Sequence, residues 1–61
     1  MSKLNILVVE DNSITAKALK NNLQRAGYNV FLANSADAAL KYLRTHVFDL
    51  MITDINLGDA F

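Results

Sequence analysis

Three acidic residues come directly after two short apolar runs, and residues of this type at this spacing could bind a metal ion or act as nucleophiles. Glu10 and Asp11 follow the run 6–9, and Asp54 follows the run 50–53. Carboxylates held close together must take up protons or bind a cation. A hard divalent ion bound by one or two carboxylates, with its waters retained, describes Mg²⁺. An aspartate carboxylate is also a competent nucleophile toward phosphorus and forms an acyl phosphate.

The same acids have a simpler interpretation. Acidic residues at strand ends often cap a helix or lie in a solvated turn. Spacing alone leaves both interpretations open. If the acids do form a metal site, the backbone carbonyl of Asn56, two residues beyond Asp54, is a candidate for a further oxygen ligand.

Whether the acids meet depends on the elements that carry them. Residues 6–9, 28–33 and 50–53 are predicted to be strands, because they are short runs rich in aliphatic and β-branched side chains. Two helical stretches alternate with them. The β-α-β-α-β order, with right-handed crossovers and a helix on each face, predicts a parallel sheet ordered 2-1-3. The first and third strands are then neighbours about 4.8 Å apart, and all three acids lie at the same edge of the sheet.

Capping signals and periodicity define the two helices. The first is predicted to begin after Asn12 or Ser13 and to end at Gly27, and the second to begin after Ser35. The apolar stripe of the first helix is predicted at Thr15, Ala18, Leu19, Leu23 and Ala26. That of the second is predicted at Ala36, Ala39, Leu40 and Leu43.

Composition excludes several classes of function. The 61 residues permit one small domain, and six basic residues balance six acidic ones. No basic stripe indicates nucleic-acid binding. The leading apolar run is too short for a signal peptide or for a membrane span of about 20 residues. The expected location is cytoplasmic, and the absence of cysteine excludes disulfides.

Other residues that could carry chemistry have ordinary interpretations. His46 stands alone after the second helix, with no nearby cluster of metal-binding residues in the sequence, and is expected to be a solvated loop residue. The aromatic residues are too scattered along the chain to predict a stacking platform, and are interpreted as core or surface cover.

Three segments resemble the receiver domains of bacterial response regulators. Residues 6–12, Ile-Leu-Val-Val-Glu-Asp-Asn, resemble the first strand of that family with its acidic pair. Residues 48–54, Phe-Asp-Leu-Met-Ile-Thr-Asp, resemble its third strand, which ends in the phosphoacceptor aspartate, and residues 33–40 resemble its second helix. The resemblance implies an α/β, flavodoxin-like (receiver) fold. A member of this family is a standard example of the 2-1-3 strand order, so the agreement with the predicted order is not independent.

The resemblance also implies roles for particular residues. Asp54 would be the phosphoacceptor, and Mg²⁺ would be held by Glu10, Asp11, Asp54 and the Asn56 carbonyl. The partner would be a sensor histidine kinase or a phosphotransfer protein. Such a domain is a signalling module and not an enzyme in the ordinary sense.

The sequence departs from the family in two ways. Gly58 stands near where the family usually has a proline, and residues 1–61 cover only the first three strands and two helices of a receiver. The serine or threonine and the lysine that contact the phosphoryl group in the family fall outside them. A truncated receiver of this kind is expected to be phosphorylated poorly, because it lacks a major electrostatic stabiliser.

Two other functions remain open at this stage. A half-receiver that takes no phosphate could act as a self-associating or protein-interaction module. A magnesium-dependent hydrolase is a third reading, although no general base is visible. For assembly, strand 50–53 is expected to be an exposed edge with little charge. This predicts a homodimer through the edge of the third strand, or through the open face of the sheet.

Overall fold

A computed structural model describes residues 3–53 of the chain. Three strands and two helices alternate in the predicted order. They are β1 (Asn5–Val9), α1 (Ser13–Arg25), β2 (Asn29–Ala33), α2 (Ala36–Thr45) and β3 (Leu50–Thr53). Within the described residues, no helix has the length and apolar character needed to cross a membrane.

The strands form one parallel sheet in the order β2-β1-β3, which confirms the predicted topology and the truncated flavodoxin-like fold class. β1 is central, and its last residue, Val9, lies opposite Ala33 of β2 and Thr53 of β3. All three strands therefore end level with one another. The residues that follow β1 and β2, Glu10 and Asn34, therefore lie at the same edge of the sheet.

The core lies on both faces of β1, whose residues 6–9 are each at most 3% exposed. Neighbouring residues of a strand point to opposite faces. Leu7 and Val9 pack with Ala39 of α2 on one face, and Ile6 on the other face lines a cavity together with Leu23 of α1. The helices thus cover opposite faces, as the crossover argument predicts.

The apolar stripes of the helices differ from the predicted ones. In α1 the buried residue is Ala16, whereas Thr15 and Ala18 are exposed. In α2 the inward residues are Ala38, Ala39 and Tyr42, while Leu40 and Leu43 are 42% and 43% exposed. Each prediction was right in part, since Ala39 is buried and Leu19 and Leu23 are partly buried. The other residues differ because packing against the sheet decides which of two adjacent stripes turns inward.

A Schellman motif ends α1. Gly27 has φ +101°, a conformation that favours glycine. The Gly27 N–H donates to the Gln24 carbonyl at 3.0 Å, and the Tyr28 N–H donates to the Leu23 carbonyl at 3.2 Å. Tyr28 therefore belongs to the helix cap, so β2 begins one residue later than predicted, at Asn29.

Polar residues join the strands at the opposite, amino edge of the sheet. The Asp49 N–H donates to the Asn5 carbonyl at 2.8 Å, and the Asn5 N–H donates to the Asp49 carboxylate at 2.7 Å. The Asn29 side-chain amide donates to the Asn5 side-chain oxygen at 3.1 Å. This network holds the beginning of β1 against both neighbours, which helps to set the register that makes the strands end level.

Candidate functional site

Glu10 is the first residue after the central strand and is held at two points. Its side chain is buried, with only 8% of the residue exposed. Its backbone N–H donates to the Ala33 carbonyl at 2.9 Å, and its Oε1 accepts from the Asn12 N–H at 3.0 Å. A buried charged group needs partners of this kind. Its carboxylate is therefore oriented at the carboxyl edge of the sheet.

Asp11 and Asn12 form the turn between β1 and α1. Asp11 is exposed, so its carboxylate is accessible to an ion from solution. Asn12 is the N-cap of α1: its Oδ1 accepts from the N–H groups of Ile14 and Thr15, both at 3.0 Å. The sequence left the choice between Asn12 and Ser13 open, and the structure selects Asn12.

Asp54 and Asn56, the other predicted ligands, lie outside the described residues. The described chain reaches Thr53, which is paired with Val9 in the parallel ladder. Asp54 follows Thr53 in the sequence as Glu10 follows Val9. The meeting of Asp54 with the acidic pair therefore remains a prediction, supported by the level ends of β1 and β3.

The chemistry of Glu10 and Asp11 fits Mg²⁺. Within residues 3–53, no three residues among His, Cys, Asp and Glu are grouped so that they could hold a metal ion by themselves. Glu10 and Asp11 supply carboxylate oxygens, one buried and oriented and the other exposed. Mg²⁺ is commonly held through one or two carboxylates with several waters retained. The pair is thus suited to be part of a magnesium site.

A cleft of about 400 Å³ lies beside the acidic pair. It is bordered by the starts of both helices and by the end of β2, and its lining residues include Asp11, Ser13, Lys17 and Asn34. The sequence analysis did not associate Lys17, which is exposed on α1, with the acids. Its place one turn after Ser13 was the available signal, since residues four apart share a helix face.

Aromatic residues that are separated along the chain come together in space and pack against the core, which confirms their interpretation as core cover. Phe31, Tyr42, His46 and Phe48 form one cluster, with ring centroids between 5.0 Å for Phe31 and His46 and 6.3 Å for Tyr42 and Phe48. His46 is exposed, as expected, but its ring packs on Phe31 and its Nδ1 lies 2.8 Å from the Thr45 hydroxyl. The cluster covers one face of the core.

Comparison with known proteins identifies close likenesses over most of the chain. A family model described as the response regulator receiver domain matches residues 6–60. The transcriptional regulatory proteins ZraR and PhoP of Escherichia coli K12 are each 41% identical to this chain over 56 residues, or 92% of it. The virulence sensor protein BvgS of Bordetella pertussis is 41% identical over 54 residues, or 88% of the chain.

The chain spans only a small part of these relatives, namely 13% of ZraR, 25% of PhoP and 4% of BvgS. A similar fold occurs in a solved fusion that includes a yeast Spc42 trimeric coiled coil. That structure has a TM-score of 0.83 and 38% sequence identity, and the match covers 88% of this chain and 37% of the other.

Proposed function

The chain belongs to the response regulator receiver domain family, and from this premise we propose that it is a phosphoacceptor module of two-component signal transduction. Asp54 accepts the phosphoryl group, and Mg²⁺ is the cofactor. Residues 1–61 make up the first part of a receiver domain, and the module works in the cytoplasm. The observation that carries the proposal is the buried, oriented Glu10 carboxylate at the sheet edge where β1 and β3 end level.

The proposed reaction is transfer from a phosphohistidine on a sensor histidine kinase or a phosphotransfer protein. A carboxylate oxygen of Asp54 attacks the phosphorus and forms an acyl phosphate. The phosphorus–nitrogen bond breaks, and the histidine nitrogen keeps its electron pair and takes up a proton. Catalysis of such a transfer is mostly positioning and charge stabilisation, so the accuracy with which the acids are held matters most.

Glu10, Asp11, Asp54 and the Asn56 carbonyl would hold the metal. When bound, Mg²⁺ would offset negative charge on the transferring group. Glu10 contributes a carboxylate already oriented by the Asn12 N–H, and Asp11 contributes one that solvent reaches. α1 begins directly behind them, and the positive end of its dipole favours negative charge there.

Mg²⁺ binding provides one prediction. We expect a magnesium titration followed by NMR to shift the amides of residues 9–12 selectively, and Glu10→Gln to weaken the binding by about tenfold. The amide oxygen of glutamine can still accept from the Asn12 N–H, so the substitution removes charge with little change of shape. A tenfold loss corresponds to about 1.4 kcal/mol.

Asp49→Asn is the matched control for the titration. Asp49 lies at the amino edge of the sheet, where the asparagine oxygen can still accept from the Asn5 N–H. It should leave magnesium binding unchanged. Shifts spread evenly over the chain, or equal losses in Glu10→Gln and Asp49→Asn, would contradict a site at Glu10.

A second function, favoured by a different observation, is self-association without phosphorylation. In β3, Leu50 is 53% exposed and Met51 is 41% exposed. In the described part of the chain β3 pairs with β1 alone. An uncharged strand edge of this kind is normally paired or protected. A two-fold dimer joined antiparallel at β3 would give the strand order 2-1-3-3′-1′-2′, and a face-to-face dimer would cover the same apolar side chains.

We expect the chain to sediment as a dimer and Ile52→Lys to sediment as a monomer. Ile52 lies opposite Val8 in the sheet and is only half-buried, so a lysine there would place a charge beside the pairing edge. Ile14→Lys makes the same change at a residue that is 80% exposed on α1 and should leave the dimer intact. Circular dichroism checks that both variants are folded. A wild-type chain that is monomeric at micromolar concentration would rule out self-association.

Incubation with acetyl phosphate and Mg²⁺ separates the two functions. A phosphoryl adduct on Asp54, detected as the mass increase of the intact chain, supports the phosphoacceptor. A dimer that remains unmodified supports the interaction module.

A further inference from the structure

We propose that Asn12 is a positioning residue for the metal site: by capping α1, its side chain fixes the backbone N–H that orients the Glu10 carboxylate. This inference rests on the proposed magnesium site and adds a residue that is not itself a ligand. The affinity for Mg²⁺ then depends on how α1 begins.

Asn12 is tied to α1 by three hydrogen bonds. Its side-chain oxygen accepts from the N–H groups of Ile14 and Thr15 at 3.0 Å, and its carbonyl accepts from the Ala16 N–H at 2.9 Å. Its own backbone is extended, with φ −84° and ψ 112°. That conformation is the one expected of an N-cap residue. The orientation of the Asn12 peptide is thus determined by the helix that follows it.

The backbone N–H of Asn12 points to Glu10, two residues earlier. It donates to Glu10 Oε1 at 3.0 Å, while the Glu10 backbone N–H is bonded to the Ala33 carbonyl at 2.9 Å. Glu10 is therefore held through its backbone to β2 and through its carboxylate to the first residue of the cap. These bonds form a continuous path from α1 through Glu10 to the sheet.

Loss of the cap would weaken one hydrogen bond of this path, the one between the Asn12 N–H and Glu10 Oε1. Without the Asn12 side chain, the first N–H groups of α1 lose their acceptor and the turn is free to change its backbone angles. The Asn12 N–H then no longer stays in line with Glu10 Oε1. A glutamate has several rotatable bonds, so a carboxylate that has lost this hydrogen bond is held less firmly and is ordered further when metal binds. Groups that orient metal ligands commonly change metal affinity by about tenfold or more.

The test compares Mg²⁺ affinity in four chains by NMR titration: wild type, Asn12→Ala, Asn12→Ser and Ser35→Ala. We expect Asn12→Ala to bind Mg²⁺ about tenfold more weakly. Serine is an effective N-cap, so Asn12→Ser should restore affinity close to that of wild type. All titrations are made at a temperature at which circular dichroism finds every variant folded.

Ser35→Ala is the matched control for general destabilisation. Ser35 is the N-cap of α2, and its hydroxyl oxygen accepts from the Ala38 N–H at 3.1 Å. Its loss removes a cap of the same kind from the other helix, and should leave Mg²⁺ affinity unchanged.

The outcomes distinguish the inference from the function on which it rests. If Asn12→Ala weakens binding, Asn12→Ser restores it and Ser35→Ala does not change it, the inference is supported. If wild type binds Mg²⁺ and Asn12→Ala binds it equally well, or if both alanine variants weaken it alike, the inference is wrong while the metal site stands. If wild type shows no selective magnesium shifts, both are wrong.

Discussion

Asp54→Asn is expected to abolish all phosphoryl labelling by acetyl phosphate. The nucleophile of the proposed reaction is a carboxylate oxygen, and an amide cannot form the acyl phosphate. In the wild-type chain we expect slow and incomplete labelling. A peptide of residues 1–61 alone contains no lysine after Lys41, and so does not include the lysine that the family resemblance places in contact with the phosphoryl group. The measurement is the mass of the intact chain over time, with Mg²⁺ present and after its removal by a chelator.

Asp49→Asn is the control for this substitution as well. It makes the same chemical change at the other end of β3, five residues earlier in the sequence, and should be labelled as slowly as wild type. Hydroxylamine should remove the label, because it cleaves acyl phosphates. Labelling that persists in Asp54→Asn would mean that another residue is the acceptor, and labelling that is insensitive to the chelator would argue against the role of Mg²⁺.

Leu7→Ala is expected to lower the free energy of unfolding of the chain by about 2–5 kcal/mol. Leu7 is fully buried in the central strand and packs with Val9, Ala33 and Ala39. Replacing a buried leucine by alanine costs about 2–5 kcal/mol. Natural domains have about 0.1 kcal/mol of stability per residue, or about 6 kcal/mol for a chain of this length. A loss of this size removes between about a third and most of that stability, and urea denaturation followed by circular dichroism measures it.

Leu43→Ala is the matched control, because the same atoms are removed from a leucine that is 43% exposed. It lies in α2, where alanine is the better helix former, so the loss should be about 1 kcal/mol or less. Equal losses in the two variants would contradict the central position of β1 in the core. The comparison also bears on the proposed function, because Glu10 directly follows β1 and is positioned by it.

Local features of the sequence were enough to predict the order of the elements and the sheet. The apolar run 6–9 is bounded by polar residues, and the structure has a strand over Asn5–Val9 that is buried on both faces. Ser35 was predicted as a cap and is one. The strand order followed because right-handed crossovers to opposite faces leave β1 in the middle. These properties depend on neighbours in sequence and on a general rule of chirality.

The position of Glu10 and Asp11 in the sheet was predictable in the same way. A residue that follows a parallel strand lies at the carboxyl edge of the sheet, so the placement of Glu10 and Asp11 needed only the end of β1. For Asp54 the prediction extends one residue past the described chain. The register of Val9 with Thr53 supports it, and the phosphorylation experiment tests it.

Tertiary structure decided which side of each helix packs inward and how the side chains meet. Periodicity predicted that Ala18 faces the sheet, whereas the buried residue of α1, which packs against β1 and β2, is Ala16. Phe31 and His46 are distant in sequence, yet their rings are 5.0 Å apart because α2 returns across β2. The orientation of the Glu10 carboxylate likewise required the Asn12 N–H and the Ala33 carbonyl together. The sequence alone determined the elements and the edge where the acids lie, whereas contacts between elements, which no local pattern encodes, determined the geometry of the site.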